Sequence, residues 1–256
     1  MLIYLPWLLL NRTDGKKKSC KKIQDFQMTK YDWLFFDADG TLFDFEKAQQ
    51  QALENTFRHL RLNFKHSYHK SYHEININLW QRFERGEIAQ SKIPGQRFHN
   101  FFEENNILAD AAQASAVYLD YLSREHILID GAENLIKNLA MEYSLILITN
   151  GLKNVQRPRF LNSVITPYFD EIIISEEVGA AKPDKRIFDI TFQKIGKPQK
   201  DRVLIIGDNL GSDILGGKKY GIDTCWYNPT AQKLQDGIIP TYEITSYEEL
   251  NDLLKY

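Results

Sequence analysis

Apolar positions in this chain gather into short unbroken runs, and the stretches between the runs repeat at helical spacing. The run at residues 31–37, YDWLFFD, has the pattern of a strand buried on both faces. From about residue 46 to 126 the rhythm is helical: Leu53, Phe57 and Leu60, then Ile75, Leu79 and Phe83, then Phe98, Phe101 and Phe102 form apolar stripes, with Gly86 and Pro94-Gly95 breaking the helices. After Gly131 the chain alternates. Strands are predicted at 145–149 (LILIT), 171–175 (EIIIS), 203–207 (VLIIG) and 223–227 (DTCWY), and helices at 132–142, 153–163, 184–195, 212–220 and 246–255. Short apolar strands alternating with helices predict βαβ units, hence an α/β fold with a doubly wound parallel sheet. The helical block is then an all-helical insertion after the first strand. The expected division is a core made of 29–45 and 128–256, an insertion of 46–127, and an N-terminal extension, 1–28, without a fold of its own.

Composition narrows the function. The net charge of −2 over 256 residues offers no basic surplus for a nucleic acid polymer. The two cysteines, Cys20 and Cys225, make no disulfide framework and fit a reducing, cytoplasmic setting. MLIYLPWLLL is apolar for about ten residues, but a bilayer span needs about 20. It has no leading Lys or Arg and no small-residue cleavage site after it, so neither membrane insertion nor secretion is expected.

The chemistry lies at the strand ends, where ligands bind in open α/β sheets. The first strand ends in Asp37-Ala38-Asp39 and the second in Thr149-Asn150-Gly151. Lys182 follows the third strand, in GAAKPDKRIFD, with Pro183 expected in the first turn of the next helix. GDNLGSD ends the fourth strand and supplies Asp208 and Asp213. Alone, each feature is ordinary: a DxD is common in surface loops, a Lys-Pro starts helices and a Gly-Asp makes turns. Together they gather four carboxylates at one sheet edge. Two like charges about 4 Å apart repel by roughly 4 kcal/mol at an effective dielectric near 20. Mg²⁺, a hard cation that takes carboxylates, carbonyls and waters, offsets that repulsion and can bridge Asp37 and Asp208 to a phosphate oxygen.

In this order, DADGT, the Thr-Asn of LITNG, the Lys of AAKPDK and GDNLGSD resemble the four motifs of the haloacid dehalogenase-like (HAD) superfamily of phosphatases, over about residues 29 to 256. The helical block resembles the cap of that superfamily. TLFDF, LWQRFERGEI, SEEVGAAKPDKRIFD, GSDILGG, GIDTCWYNP and IIPTYEI are similar to the bacterial 5′-nucleotidases within it, which act on pyrimidine and non-standard nucleoside monophosphates. The resemblance implies Asp37 as nucleophile, Asp39 as general acid and base, and Lys182 as counter-charge. Thr149 and the N–H groups of Asn150 and Gly151 would bind phosphoryl oxygens. The metal ligands implied are Asp37, Asp208 and the carbonyl of Asp39, with Asp213 orienting Lys182 or a metal-bound water. Asn209-Leu210-Gly211 departs from the pattern, since relatives often carry Ser or Thr there. Phosphoglycolate phosphatases, sugar phosphatases and phosphomutases share the core motifs, so they stand as alternatives. A non-catalytic binding module is disfavoured, because Asp37 and Lys182 are both present. The expected partner is a small phosphorylated metabolite, a nucleoside monophosphate, taken up by a monomer or homodimer.

In the cap, Arg85 and Arg97 are candidate substrate contacts, together with Phe45, Trp80 and Phe83, and Gly86 in ERGEI marks a loop that can reach the site. The six histidines, at 59, 66, 69, 73, 99 and 126, all fall in the cap. His69 and His73 share zinc-like spacing, but a solvated helical face is the plainer reading.

Overall fold

The computed structural model describes residues 29–234 and 237–255; the extension expected over 1–28, Cys20 included, lies outside them. Six strands form one parallel sheet in the order β3-β2-β1-β4-β5-β6. They are β1 (Trp33–Phe36), β2 (Ser144–Thr149), β3 (Glu171–Ile174), β4 (Val203–Gly207), β5 (Asp223–Tyr227) and β6 (Tyr242–Ile244). Side chains alternate between the two faces with period two. Leu34, Phe36, Leu145, Leu147, Leu204 and Ile206 pack on one face with Leu135, Ile136 and Leu139 of α5 (Ala132–Leu139) and Leu250 and Leu254 of α10 (Tyr247–Leu254). Phe35, Ile146, Ile148, Val203 and Ile205 pack on the other, against Ile187, Phe188 and Phe192 of α8 (Lys185–Lys194) and Tyr220 of α9 (Leu215–Tyr220). The sheet is therefore covered on both sides, as its unbroken apolar strands require.

The register aligns the strand ends: Phe36 pairs with Leu147 on one side and Ile206 on the other. Winding reverses between β1 and β4, which opens a crevice at their carboxyl ends. Two local expectations change. Pro183 lies ahead of α8 instead of in its first turn, and the cap is Asp184, whose carboxylate accepts the Arg186 N–H. The helix expected over 212–220 begins as a π turn, Leu210–Ile214, before α9. The edge strand β6 was not expected; its three residues carry too little pattern, and it forms by pairing with β5.

The insertion consists of α1 (Phe45–His59), α2 (Ser67–Glu84), α3 (Ile93–Glu104) and α4 (Ala111–Arg124). It has a core of its own, in which Leu53, Phe57, Tyr72, Phe98, Phe101 and Tyr118 are buried together. Gly86 follows the end of α2 at a positive φ of 76°. Pro94-Gly95 sits in the first turn of α3, so it begins a helix and interrupts none. The solvated reading of His69 and His73 is corrected. Both rings face α1, His69 against Glu54 at 2.8 Å and His73 against Gln49 at 3.2 Å. Two chain crossings join insertion and sheet, and they bond to each other: Asp44 N–H donates to the Ile127 carbonyl and Ile129 N–H to the Leu42 carbonyl, each at 2.9 Å.

A candidate active site at the strand ends

Asp37 follows β1 directly, and its N–H still bonds the Ile206 carbonyl of β4 at 2.9 Å. The carboxylate therefore projects from rigid sheet. The chain then turns sharply, with the N–H groups of Leu42 and Phe43 both donating to the Ala38 carbonyl. Gly40 holds φ at +85°, and a Cβ there would run into the Asp208 carboxylate, so both the turn and the space require glycine. Thr41 Oγ1 donates to Asp208 Oδ1 at 3.2 Å and accepts the Asp208 N–H at 3.0 Å.

Lys182 arrives from the far side of β2. Its buried ammonium lies 2.6 Å from Asp37 Oδ1, 2.7 Å from Asp213 Oδ1 and 2.6 Å from the Ile148 carbonyl. Two of these contacts are hydrogen bonds, to Asp37 and to the Ile148 carbonyl, and the third is an ion pair with Asp213. The Asn150 side chain clamps the loop that carries this lysine, donating to the Lys182 carbonyl and accepting its N–H, both at 2.8 Å. Gly151 N–H rests on Ser175 Oγ at 3.1 Å. Asp213 is fully buried, accepts the Asn209 N–H at 3.1 Å, and occupies the space a Cβ on Gly207 would need. The Asn209 side chain is spent on capping the π turn, since it accepts from the Gly211 and Ser212 N–H groups. That gives the departure at Asn209 a local structural reason.

Carboxylate oxygens of Asp37, Asp208 and Asp213 lie within 4.8 Å of one another, with one ammonium among them. Burial pushes Asp37 well above the usual carboxylate range, opposed by Lys182 and reinforced by Asp213 and Asp208. Burial, with Asp213 beside it, pushes Asp208 up to about 7. Burial pulls Lys182 down, but the charges of Asp213 and Asp37 outweigh it and hold the ammonium above the ordinary lysine value. The cluster is short of positive charge.

Asp39 turns away from Lys182 toward α6 (Lys153–Leu161). Its Oδ2 accepts from Gln156 Nε2 at 2.8 Å, and its Oδ1 is ion-paired with Arg159 at 2.8 Å. Gln156 Nε2 also reaches Thr149 Oγ1, at 3.1 Å. Neither α6 residue was singled out in the sequence. In a helix reading KNVQRPRFL, both look like solvent-facing positions, yet both are buried.

A cavity of about 230 Å³ runs from Asp37, Asp39, Thr149 and Asp208 up into the insertion, where Phe45, Asn76, Trp80, Glu84 and Arg97 line it. Arg97 is buried and donates to Asn76 Oδ1 at 2.8 Å, with its guanidinium 4.7 Å from the Tyr118 ring centre. Its Nε and Nη2 make no hydrogen bond, and among the described residues no carboxylate pairs with it. Arg85 is not brought to this cavity: it sits exposed after α2, paired with Glu87 at 2.5 Å. Phe83 lines a neighbouring crevice. Glu84, which was not anticipated, is the ERGEI residue that reaches the site. Burial first, then Asp213, raises its pKa to about 7.

No helix among the described residues is long and apolar enough to cross a membrane. Residues 34–227 match the model of the haloacid dehalogenase-like hydrolase family. The chain is 38% identical over 227 residues to the HAD-hydrolase YfnB of Bacillus subtilis, covering 89% of this chain and 97% of that one. It is 34% identical to the pyrimidine 5′-nucleotidase YjjG of Escherichia coli, covering 88% of this chain and 98% of YjjG. Likewise it is 34% identical to the pyrimidine 5′-nucleotidase PynA of Streptococcus pneumoniae, covering 88% and 95% of the two chains. The crystal structure of magnesium-bound YfnB, described as revealing interdomain movement, superposes with a TM-score of 0.84 at 37% identity, covering 89% of this chain and 100% of YfnB. With the fold and the strand-end cluster in agreement, the chain belongs to the haloacid dehalogenase-like hydrolases.

Proposed function

We propose that this chain is a phosphomonoester hydrolase whose substrates are nucleoside 5′-monophosphates, pyrimidine nucleotides first among them. The observation that carries the chemistry is the division of labour between two neighbouring carboxylates: Asp37 held by an ammonium and Asp39 by a guanidinium and an amide. Asp37 attacks phosphorus to form an aspartyl-phosphate, and Asp39 protonates the departing alkoxide oxygen. Asp39 then takes a proton from the water that cleaves the acyl-phosphate, and Asp37 is restored. Lys182 stays charged beside Asp37 throughout. A halide leaves without a proton, so a second aspartate at this position speaks against dehalogenation.

Magnesium fits the residues present. The cluster is deficient in positive charge, and Gly40 leaves the Asp208 carboxylate the room that a side chain would fill. Asp37, Asp208 and the Asp39 carbonyl would hold the ion, with Asp213 steadying Lys182 instead. When bound, it would supply Lewis-acid charge to the phosphoryl oxygens.

The nucleotide reading draws support from the names of YjjG and PynA, and from a cavity that ends in the Phe45 and Trp80 rings and the buried Arg97. We take 46–127 as the cap that encloses this space. A phosphate-release screen over nucleotides, phosphoglycolate and sugar phosphates tests it. UMP, dUMP or TMP should show the highest kcat/KM. A sugar phosphate that outperforms every nucleotide would leave the hydrolase reading standing and remove the nucleotidase one.

A further inference from the structure

Arg159 is fully buried, and its hydrogen bonds, ion pair and ring contacts among the described residues reach Asp39, α6 itself and the two crossings between sheet and insertion, while its Nη2 makes no hydrogen bond. Its Nη1 is ion-paired with Asp39 Oδ1 at 2.8 Å and donates to Gln156 Oε1 at 2.6 Å. Its Nε donates to the Glu125 carbonyl at 2.8 Å, where α4 ends and the second crossing begins. Its guanidinium lies 5.3 Å from the ring centre of Phe43 and 5.7 Å from that of Phe45, which flank the first crossing. A buried guanidinium loses its hydration, and a carboxylate partner offsets part of that loss. Here the carboxylate is Asp39, the group with a proton to give and take. Both groups that α6 presents to Asp39 are donors, one to each carboxyl oxygen, so together they fix the plane of the carboxyl group.

We propose that Arg159 is a positioning residue that aims Asp39, and that its grip depends on both crossings closing around it, so that proton transfer is tied to the seating of the helical insertion. The proposal rests on the hydrolase reading above. Gln156 shares the task on the other oxygen, but its side-chain hydrogen bonds go to Asp39, Thr149 and Arg159, whereas the hydrogen bonds and ring contacts of Arg159 reach both crossings.

The test is a double-mutant cycle on the Mg²⁺-loaded full chain. Arg159→Met and Arg159→Lys are made alone and with Asp39→Asn, and assayed on UMP and p-nitrophenyl phosphate. Alone, Arg159→Met should lower kcat on UMP by about 10–100-fold, a part of the roughly 10²–10⁴-fold that a positioned general acid contributes. A nitrophenolate burst close to one per site should persist, because that leaving group needs little protonation. Arg159→Lys should recover part of the loss. With Asp39→Asn already present, either change should cost less than about 3-fold, since the residue acts through Asp39. Hydrogen exchange at residues 43–45 and 125–129 should quicken in Arg159→Met and stay native in Asp39→Asn. Equal losses with and without Asp39, or unaltered exchange in both segments, overturn the proposal. If Arg159→Met does not fold, Arg159→Lys carries the cycle. Turnover of p-nitrophenyl phosphate by the native enzyme tests the hydrolase reading separately.

Discussion

Thr41 and Asp208 hold each other by two hydrogen bonds, hydroxyl to carboxylate at 3.2 Å and backbone N–H to hydroxyl at 3.0 Å, so the turn after β1 is fastened to the end of β4. Thr41 is fully buried. Thr41→Val keeps the shape and removes both bonds. It leaves a partly buried N–H without its acceptor, which costs up to about 1–3 kcal/mol. The variant should melt several degrees lower and need roughly 10-fold more Mg²⁺ for half-maximal activity, as expected when a ligand loses its outer support. A native Mg²⁺ requirement would show that Asp208 is oriented by other contacts.

Asp37→Asn and Asp39→Asn should fail differently. The first removes the proposed nucleophile and should leave only background with any substrate. The second should keep phosphoryl transfer from p-nitrophenyl phosphate while slowing hydrolysis of the aspartyl-phosphate by about 10²–10⁴-fold. Intact mass spectrometry should then find a phosphorylated chain after a burst. Equal loss on aryl and alkyl substrates, without a burst, would mean that Asp39 holds the loop and transfers no proton.

Metal-free protein should lose stability as the pH rises from about 5 to 7.5. Asp208 and Glu84 both titrate near 7 in the fold, above the ordinary carboxylate values of 3.8 and 4.5. A raised folded pKa means that the native state binds more protons than the unfolded chain across this window. The stability contribution is complete below the unfolded value and fades as pH climbs through the folded one. Mg²⁺ should therefore raise the melting temperature more at pH 7.5 than at pH 5. A metal-free melting temperature that is flat or rising over this window would refute the charge deficit.

Arg97→Met removes a buried cation that no carboxylate among the described residues offsets, so stability should hold or rise. If the guanidinium recognises the nucleoside, kcat/KM for UMP should fall about 10-fold or more, while that for p-nitrophenyl phosphate stays within twofold; a hydrogen bond to a charged group is worth about 1.5–3 kcal/mol, which is roughly this much. Parallel losses on both substrates would make Arg97 part of the packing of the insertion.

Local pattern was enough to place Asp37, Thr149, Lys182, Asp208 and Asp213, because a parallel sheet brings the carboxyl end of every strand to one edge. Recognising the strands was equivalent to gathering the residues after them. The stripes of Phe57, Phe98 and Phe101 likewise announced a helical core, since helical period alone decides which side chains share a face. Contacts between elements were not legible in this way. Gln156 and Arg159 on α6 read as solvated polar positions until α6 is seen packed beside Asp39, and Arg85 and Glu84 are adjacent in sequence although only Glu84 enters the cavity. His69 and His73 presented one face, but only the packing of α1 and α2 determined that it meets Glu54 and Gln49. Pattern reports the period of one element. The partner of a polar side chain depends on how two elements approach, and that is settled by the packing of the whole chain.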